Sequence, residues 1–312
     1  MNSIIRTVTG DIDPQDAGPT YMHEHLIIDS AIVARDFPHI HLHEVDSATA
    51  EALDMRSHGV GTIVDCMPYE SGGSPEKLKQ ISISSGIKIV YATGMHNKKY
   101  YENDLYAKLT GSNTLLRKMI HEINDGIGDE KIQCGIIKVA TSSDVMRGEE
   151  KVIFESAAQA HRITGAPILT HCEAGTGALR QIEFFQDAKI PLASVVLSHT
   201  DKVFDSGYHR EILSSGINVE YDQSLRQLDS PEKSSAELTI SMIEAGFIKQ
   251  IMLGTDGARR SLWKSHGGAP GLSALYGGWT NLLKGMGVSE ANLHQIFTEN
   301  PKRFLSFVPI QR

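Results

Sequence analysis

The sequence predicts an α/β protein of the (β/α)8 TIM-barrel class. Three observations carry that prediction. Eight short, apolar, β-branched runs recur along the chain. Stretches with apolar residues at i, i+3 and i+4 lie between them. Glycines close those stretches just before the next run, where the left-handed conformation that stops a helix is needed. Strand, helix, glycine, strand, repeated without a change of composition, calls for a parallel sheet, and eight repeats favour a closed barrel over an open one.

The predicted strands come in order at residues 20–26, 62–65, 87–93, 135–140, 167–171, 194–199, 217–222 and 250–254. Predicted helices include 47–58, 113–127, 149–164, 177–188 and 236–247, the third showing the pattern Ile153, Ala157, Ala160, Ile163. Gly59, Gly86, Gly165, Gly216 and Gly246 stand at helix ends. The tail, 289–307, reads as a helix that stops before Pro301, followed by a short apolar turn through Phe304 and Leu305. No linker or charge run divides the chain, so one domain is expected over residues 1–312.

With 312 residues, 40% hydrophobic and 22% charged, the chain is long enough to bury a large core without staples, and disordered or collagen-like readings are excluded. A formal net charge of −8 argues against nucleic acid or an anionic membrane as the main partner. The three cysteines, Cys66, Cys134 and Cys172, are too few and too dispersed for a disulfide framework. The first residues carry no apolar run of a signal peptide, and no stretch approaches membrane-span length. A soluble protein of a reducing compartment, the cytoplasm, is therefore expected. Neither GxGxxG after an early strand nor GxxxxGK[ST] occurs, which removes support for nucleotide binding.

The active end of a parallel barrel lies at the C-terminal ends of its strands. The chain has 14 histidines, and several fall there. His23 and His25 stand in Tyr21-Met-His-Glu-His-Leu26; strand side chains alternate, so two residues apart share a face and can chelate one ion. His171 and His199 each end an apolar run, and Asp256 follows the last one. Four histidines and an aspartate converging on one barrel mouth suit one or two divalent metals, zinc, manganese or iron. His39, His41 and His43 follow Pro38 in a predicted loop and read as solvated. Lys138 lies inside an apolar strand, where a bare ammonium is costly. Two readings stay open for it. Either it pairs with a carboxylate such as Glu173 or Glu220, or carbon dioxide converts its amine to a carbamate able to bridge two metals.

Together, His23-x-His25, Lys138, His171, His199 and Asp256 resemble the metal residues of the phosphotriesterase family, within the amidohydrolase superfamily. The resemblance runs from Gly10-Asp11-Ile12 through Ala92-Thr-Gly94, Ser198-His-Thr-Asp201 and Thr255-Asp256 to Asn300-Pro301. Arg259-Arg-Ser261, followed by Gly267-Gly268, is similar to the phosphotriesterase-homology and lactonase branches.

The resemblance implies that His23, His25 and Asp256 bind the more buried metal and that His171 and His199 bind the more exposed one. It further implies that carboxylated Lys138 and a hydroxide bridge the pair. Two cations lower the pKa of a bridging water to about 7 or below. In that scheme Asp256 is the catalytic residue that accepts the proton. No GxSxG is present, and Cys172 reads as a neighbour of His171 rather than a nucleophile.

For the substrate, the expected contacts are Lys98 and Tyr100 after strand three, Arg226 after strand seven and Arg259 after strand eight, with Lys99, Tyr101 and Arg260 beside them. Cationic loops at the mouth of an acidic protein suit a small anionic substrate. Surface salt bridging is the alternative, and Arg259 has the further alternative of locking the last loop. The resulting expectation is a metal-dependent lactonase or carboxylic-ester hydrolase, with a phosphorylated sugar lactone as candidate substrate. The lactone is an implication of the resemblance. Phosphotriester hydrolysis is the alternative activity, because a tetrahedral transition state at phosphorus suits the same site. A metal-binding barrel without turnover is the alternative of another class, and the complete ligand set argues against it. Lys138 counts against a single-metal deaminase. The resemblance also makes a homodimer an open expectation, although no stretch singles out an interface.

Overall fold

The computed structural model describes residues 2–111, 113–146, 148–229 and 234–310. A two-stranded antiparallel hairpin comes first, β1 (Ile5–Thr7) with β2 (Gly10–Ile12). Eight parallel strands follow: β3 (Thr20–Glu24), β4 (Thr62–Asp65), β5 (Lys88–Gly94), β6 (Ile136–Thr141), β7 (Ile168–Cys172), β8 (Val195–Ser198), β9 (Asn218–Tyr221) and β10 (Ile251–Leu253). They pair in sequence order, and the backbone N–H groups of Thr255 and Asp256 both donate to the His23 carbonyl, which brings the last strand end onto β3. Every predicted strand is present. Three residues counted at strand ends, His25, His199 and Asp222, lie just beyond them instead.

The interior is packed, not hollow. Met22, Val64, Cys66, Val90, Ala92, Ile136, Leu169, Val196 and Met252 fill it, and Ile5, Phe304 and Leu305 join them from outside the barrel strands. The hairpin and the chain's end thus plug the base, tied by paired hydrogen bonds between Ile4 and Phe307 (2.9 and 3.0 Å). The hairpin was not expected from its sequence: three-residue strands are too short to show a period.

Outside, helices cover the sheet at Val45–Ser57, Pro75–Ser85, Thr114–Asn124, Glu149–Thr164, Ala178–Asp187, Ser206–Ser214 and Ser235–Glu244. The five glycines expected at helix ends all have positive φ. The tail departs from expectation. It is helical over Glu290–His294, widens to a π turn over Gln295–Glu299, and continues as helix over Asn300–Leu305. Pro301 does not stop it, because it falls in the first turn of the last segment, where a missing N–H is not needed.

The upper rim is held by buried carboxylates rather than by ladder hydrogen bonds. Asp65 accepts the Leu26 N–H (2.7 Å) and the Met67 N–H (3.2 Å). Glu24 accepts the Thr255 N–H (3.0 Å). Asp222 accepts the His199 N–H (3.0 Å), and Asp201 accepts those of Asp222 and Gln223 (both 3.0 Å). Further out, Arg260 forks onto Glu44 (2.9 and 3.0 Å) and the His41 carbonyl (3.0 Å), joining the loops after β10 and β3. No helix among the described residues is long and apolar enough to cross a membrane.

Each buried N–H left without an acceptor costs about 1–3 kcal/mol. Asp65→Ala should therefore lower the urea midpoint by an amount equivalent to about 2 kcal/mol or more. Asp65→Asn should recover only part, since its amide carbonyl serves one donor while its NH2 faces the other. An unchanged midpoint in the alanine variant would show that Asp65 does not tie the rim.

Candidate metal centre

β3 and β4 pair as Tyr21↔Ile63 and then Glu24↔Asp65, so β3 carries one extra residue between. This bulge lets Met22 pack inside the barrel while its neighbour His23 also reaches inward, within 3.4 Å of the Lys138 Nζ. Simple alternation did not foresee it. Lys138 is central in β6, and Gly94 makes room beside it: a Cβ on Gly94 would lie 1.9 Å from the Lys138 carbonyl. His171 is in β7. His199 directly follows β8 and Asp256 lies three residues past the end of β10, with φ of 68° and 43°, left-handed values that cost energy for non-glycine residues and that cluster at functional sites.

These residues converge. The rings of His25, His23, His199 and His171 form a chain, with successive centroids 5.2, 4.8 and 4.3 Å apart. His25 Nε2 lies 3.7 Å from Asp256 Oδ1. Ligand atoms of His23, His25 and Asp256 fall within 4.8 Å of one another, as do those of His23, His199 and Asp222. Burial, reinforced by Lys138 and the neighbouring imidazoles, holds His23 and His199 well below the usual histidine range. Burial brings His25 down to about 4, against the pull of Asp256. His171 is also lowered by burial, although its hydrogen bond to Glu173 (2.8 Å) opposes the shift. Neutral imidazoles present lone pairs. The buried Nδ1 atoms of His25 and His171 have no hydrogen-bond partner among the described residues, an unusual cost unless they serve a ligand.

Lys138 is fully buried, and its amine is pushed below the usual lysine value by desolvation. No carboxylate among the described residues forms an ion pair with it; Glu220 instead meets His23 Nδ1 (3.2 Å), and Glu173 meets His171. The donor set of imidazoles, a carboxylate and a buried amine fits divalent metal.

Two inner residues escaped the sequence reading. Asp222 lies 2.7 Å from His199 Nδ1 and 3.9 Å from His23 Nδ1. The signal was present, because it closes the run 217–222 just as His199 closes its own. His96, which follows β5, has its ring 5.0 Å from that of His171 and 4.8 Å from that of Tyr100.

Above the centre lies a cavity of about 460 Å³ whose lining includes His25, His171, His199 and Asp256. Tyr100 lines it, with its ring edge-on to Phe37 (5.4 Å); burial and the nearby Asp256 push its phenol up to about 12. Lys99 lines both it and an adjoining pocket, whereas Lys98 lines the adjoining pocket alone, over the Tyr106 ring and 3.8 Å from Glu149. Arg226 lines it too, with its guanidinium engaged by the end of β10. Arg259 is exposed at the mouth, while its neighbour Arg260 makes the loop lock. Lys202, not singled out from sequence, completes a trio with Lys99 and Arg259; none of the three has an ion-pair partner among the described residues. His39 lines the wall, whereas His41 and His43 stack on each other (4.2 Å) with His41 hydrogen-bonded to Asp29 (3.1 Å).

Comparison with known proteins agrees with this architecture. The chain is 28% identical over 327 residues to a phosphotriesterase homology protein of Mycobacterium tuberculosis, covering 96% of each. It is 26% identical over 328 residues to a phospho-furanose lactonase of Mycoplasmopsis synoviae, covering 98% of this chain and 92% of that one. The crystal structure of the lactonase Lmo2620 from Listeria monocytogenes superposes with a TM-score of 0.91 at 27% identity, over 98% of this chain and 99% of that one. The model of the phosphotriesterase family matches residues 3–305, and the chain belongs to that family.

Proposed function

We propose that this hydrolase opens lactones or carboxylic esters, with a phosphorylated sugar lactone as its substrate class. The observation that carries the reading is the pairing of a buried, neutral imidazole cluster on the cavity floor with Lys99, Lys202 and Arg259 at its mouth, which form no ion pair among the described residues. The lactonase names of two similar proteins support it.

His23, His25 and Asp256 would hold one divalent cation, His171 and His199 a second, and Lys138 as its carbamate both. Zinc is our choice for this N/O set, with manganese and iron compatible. When bound, such a pair supplies Lewis acidity, lowering the pKa of water and polarising a carbonyl oxygen. The chain's own groups do the rest. Lys138, shifted by burial toward the neutral amine, can attack carbon dioxide through its nitrogen lone pair; a C–N bond forms as one C=O π pair moves onto oxygen, and one proton leaves to solvent. Asp256 accepts the proton of the attacking water and passes it toward the leaving ring oxygen. Tyr100 confines the ring of the substrate, and the three cations hold its anionic substituent. Three buried free thiols suit a cytoplasmic setting.

Three measurements test this. Lys138→Ala should lose bound metal and lactone hydrolysis together, with a short carboxylate restoring part of both; full metal content and activity would remove the carbamate. Lys202→Ala or Arg259→Ala should raise KM for a phosphorylated lactone by about tenfold and leave a neutral lactone within about twofold. Equal effects on both would remove the anion pocket.

The third test is on the metal-free protein. His25 titrates near 4 when folded against an ordinary 6.5, so the unfolded chain takes up its proton first. The stability it contributes is complete above about 6.5 and is lost as pH falls toward about 4. Relative to His25→Asn, which lacks this titration, the wild type should lose urea stability across that window. A constant difference would contradict the neutral imidazole.

A further inference from the structure

Asp256 performs two tasks in the reading above, and both need its carboxylate fixed in direction. Its backbone is an awkward place for that. The residue lies past the last residue of the three-residue β10, in a left-handed conformation that side-chain-bearing residues seldom adopt. Its N–H is satisfied by the His23 carbonyl (3.0 Å), but the carbonyls of Thr255 and Asp256 lie past the end of the ladder with β9. Arg226 supplies the donor for Thr255 and a second donor for Asp256, whose carbonyl also accepts the Ala258 N–H (2.7 Å). Nη1 donates to the Thr255 carbonyl (3.0 Å) and more weakly to that of Asp222 (3.4 Å). Nη2 donates to the Asp256 carbonyl (2.7 Å) and meets its Oδ2 (3.3 Å). Meanwhile Oδ1 faces His25 Nε2 (3.7 Å).

One planar guanidinium thus reaches both strand ends, β9 through Asp222 and β10 through Thr255 and Asp256. It also contacts one carboxylate oxygen and leaves the other toward the imidazoles. A lysine ammonium lacks the flat fork that serves two carbonyls and a carboxylate together. The base of the side chain is itself anchored: the Arg226 N–H donates to the Gln223 carbonyl (3.1 Å), and the adjacent Leu225 is buried.

We propose that Arg226 is a positioning residue that holds Asp256 in its strained backbone conformation and aims its carboxylate at the metal centre, rather than an anchor for the anionic substrate. The inference rests on Asp256 being a metal ligand and proton acceptor.

The test compares wild type, Arg226→Ala and Arg226→Lys, each loaded with cobalt(II). The absorption spectrum is recorded without substrate, and kcat and KM are measured on a neutral lactone. Arg226→Ala should change the cobalt spectrum and lower kcat by about tenfold or more, with KM within about twofold. Added guanidinium should restore part of both the spectrum and kcat, whereas ammonium should not, and Arg226→Lys should resemble the alanine variant. An unchanged spectrum and kcat would overturn the proposal. So would an effect confined to the KM of a phosphorylated lactone, or a loss of thermal stability with no spectral change and no guanidinium rescue. If the wild type turns over no lactone, the proposed function fails, while the spectrum and its rescue by guanidinium still decide the role of Arg226.

Discussion

Glu24, Asp65, Asp201 and Asp222 have given up water at the upper rim to accept backbone N–H groups from adjoining strand ends. Taking a carboxylate out of water is expensive, and the cost is recovered only if its oxygens meet donors of good geometry. That requirement is reciprocal. A carboxylate placed to satisfy two amides fixes where those amides are, and so fixes the residues that carry them. Asp222 sets the turn at His199, Glu24 sets the approach of Thr255, and Asp65 sets the exit of the chain after His25. The short strands β8, β9 and β10, of three or four residues each, have too few ladder bonds to hold their own ends. The carboxylates take over where the ladder stops, which is where the proposed ligands stand.

A rim fixed in this way can tolerate local strain. His199 and Asp256 occupy left-handed backbone conformations, and such residues persist only where surrounding contacts over-determine them. His199 is held through its N–H by Asp222, and Asp256 is held by the His23 carbonyl and the guanidinium of Arg226. Both side chains are thereby turned from the run of their strands toward the barrel axis. The bulge in β3 does the same for His23 by another route, adding a residue instead of straining one.

Most of this site was legible because a parallel barrel converts chain position into location. A polar residue closing an apolar run lies near the mouth, and that single rule places His25, His171, His199 and Asp256 without any knowledge of contacts. The same rule covers Asp222, which was passed over since an aspartate after a strand is also an ordinary turn residue. Loop geometry was not legible. Lys98 and Lys99 are adjacent and chemically alike, yet in the short helical turn Lys98–Tyr100 both line the adjoining pocket while Lys99, and not Lys98, also reaches the cavity above the histidines. Arg259 and Arg260 exchange roles for the same reason: which of them locks the last loop depends on where Glu44, more than two hundred residues earlier, is carried. Long-range partners leave no local pattern. The helix through Pro301 was misread from the opposite cause, a strong local signal that a neighbouring π turn renders harmless.

The charge arrangement around the cavity follows a consistent physical logic. Inside the rim, carboxylates predominate, and burial raises Asp65 and Asp201 to about 7 and Glu24 and Glu220 above their ordinary range. The basic group among them, Lys138, is itself shifted toward the neutral amine by burial. Such a shell favours taking up positive charge, and each divalent ion it accepted would favour ionised carboxylates over protonated ones. Outside, Lys99, Lys202 and Arg259 line the wall in contact with solvent, where a cation costs little to maintain and screening limits its repulsion of charge at the floor. In the proposed function, an anionic substituent would be drawn to the mouth, while the carbonyl it accompanies would lie deeper, over the imidazoles. Depth separates the two charge requirements, so one cavity can bind cations at its floor and an anion at its entrance without either cancelling the other.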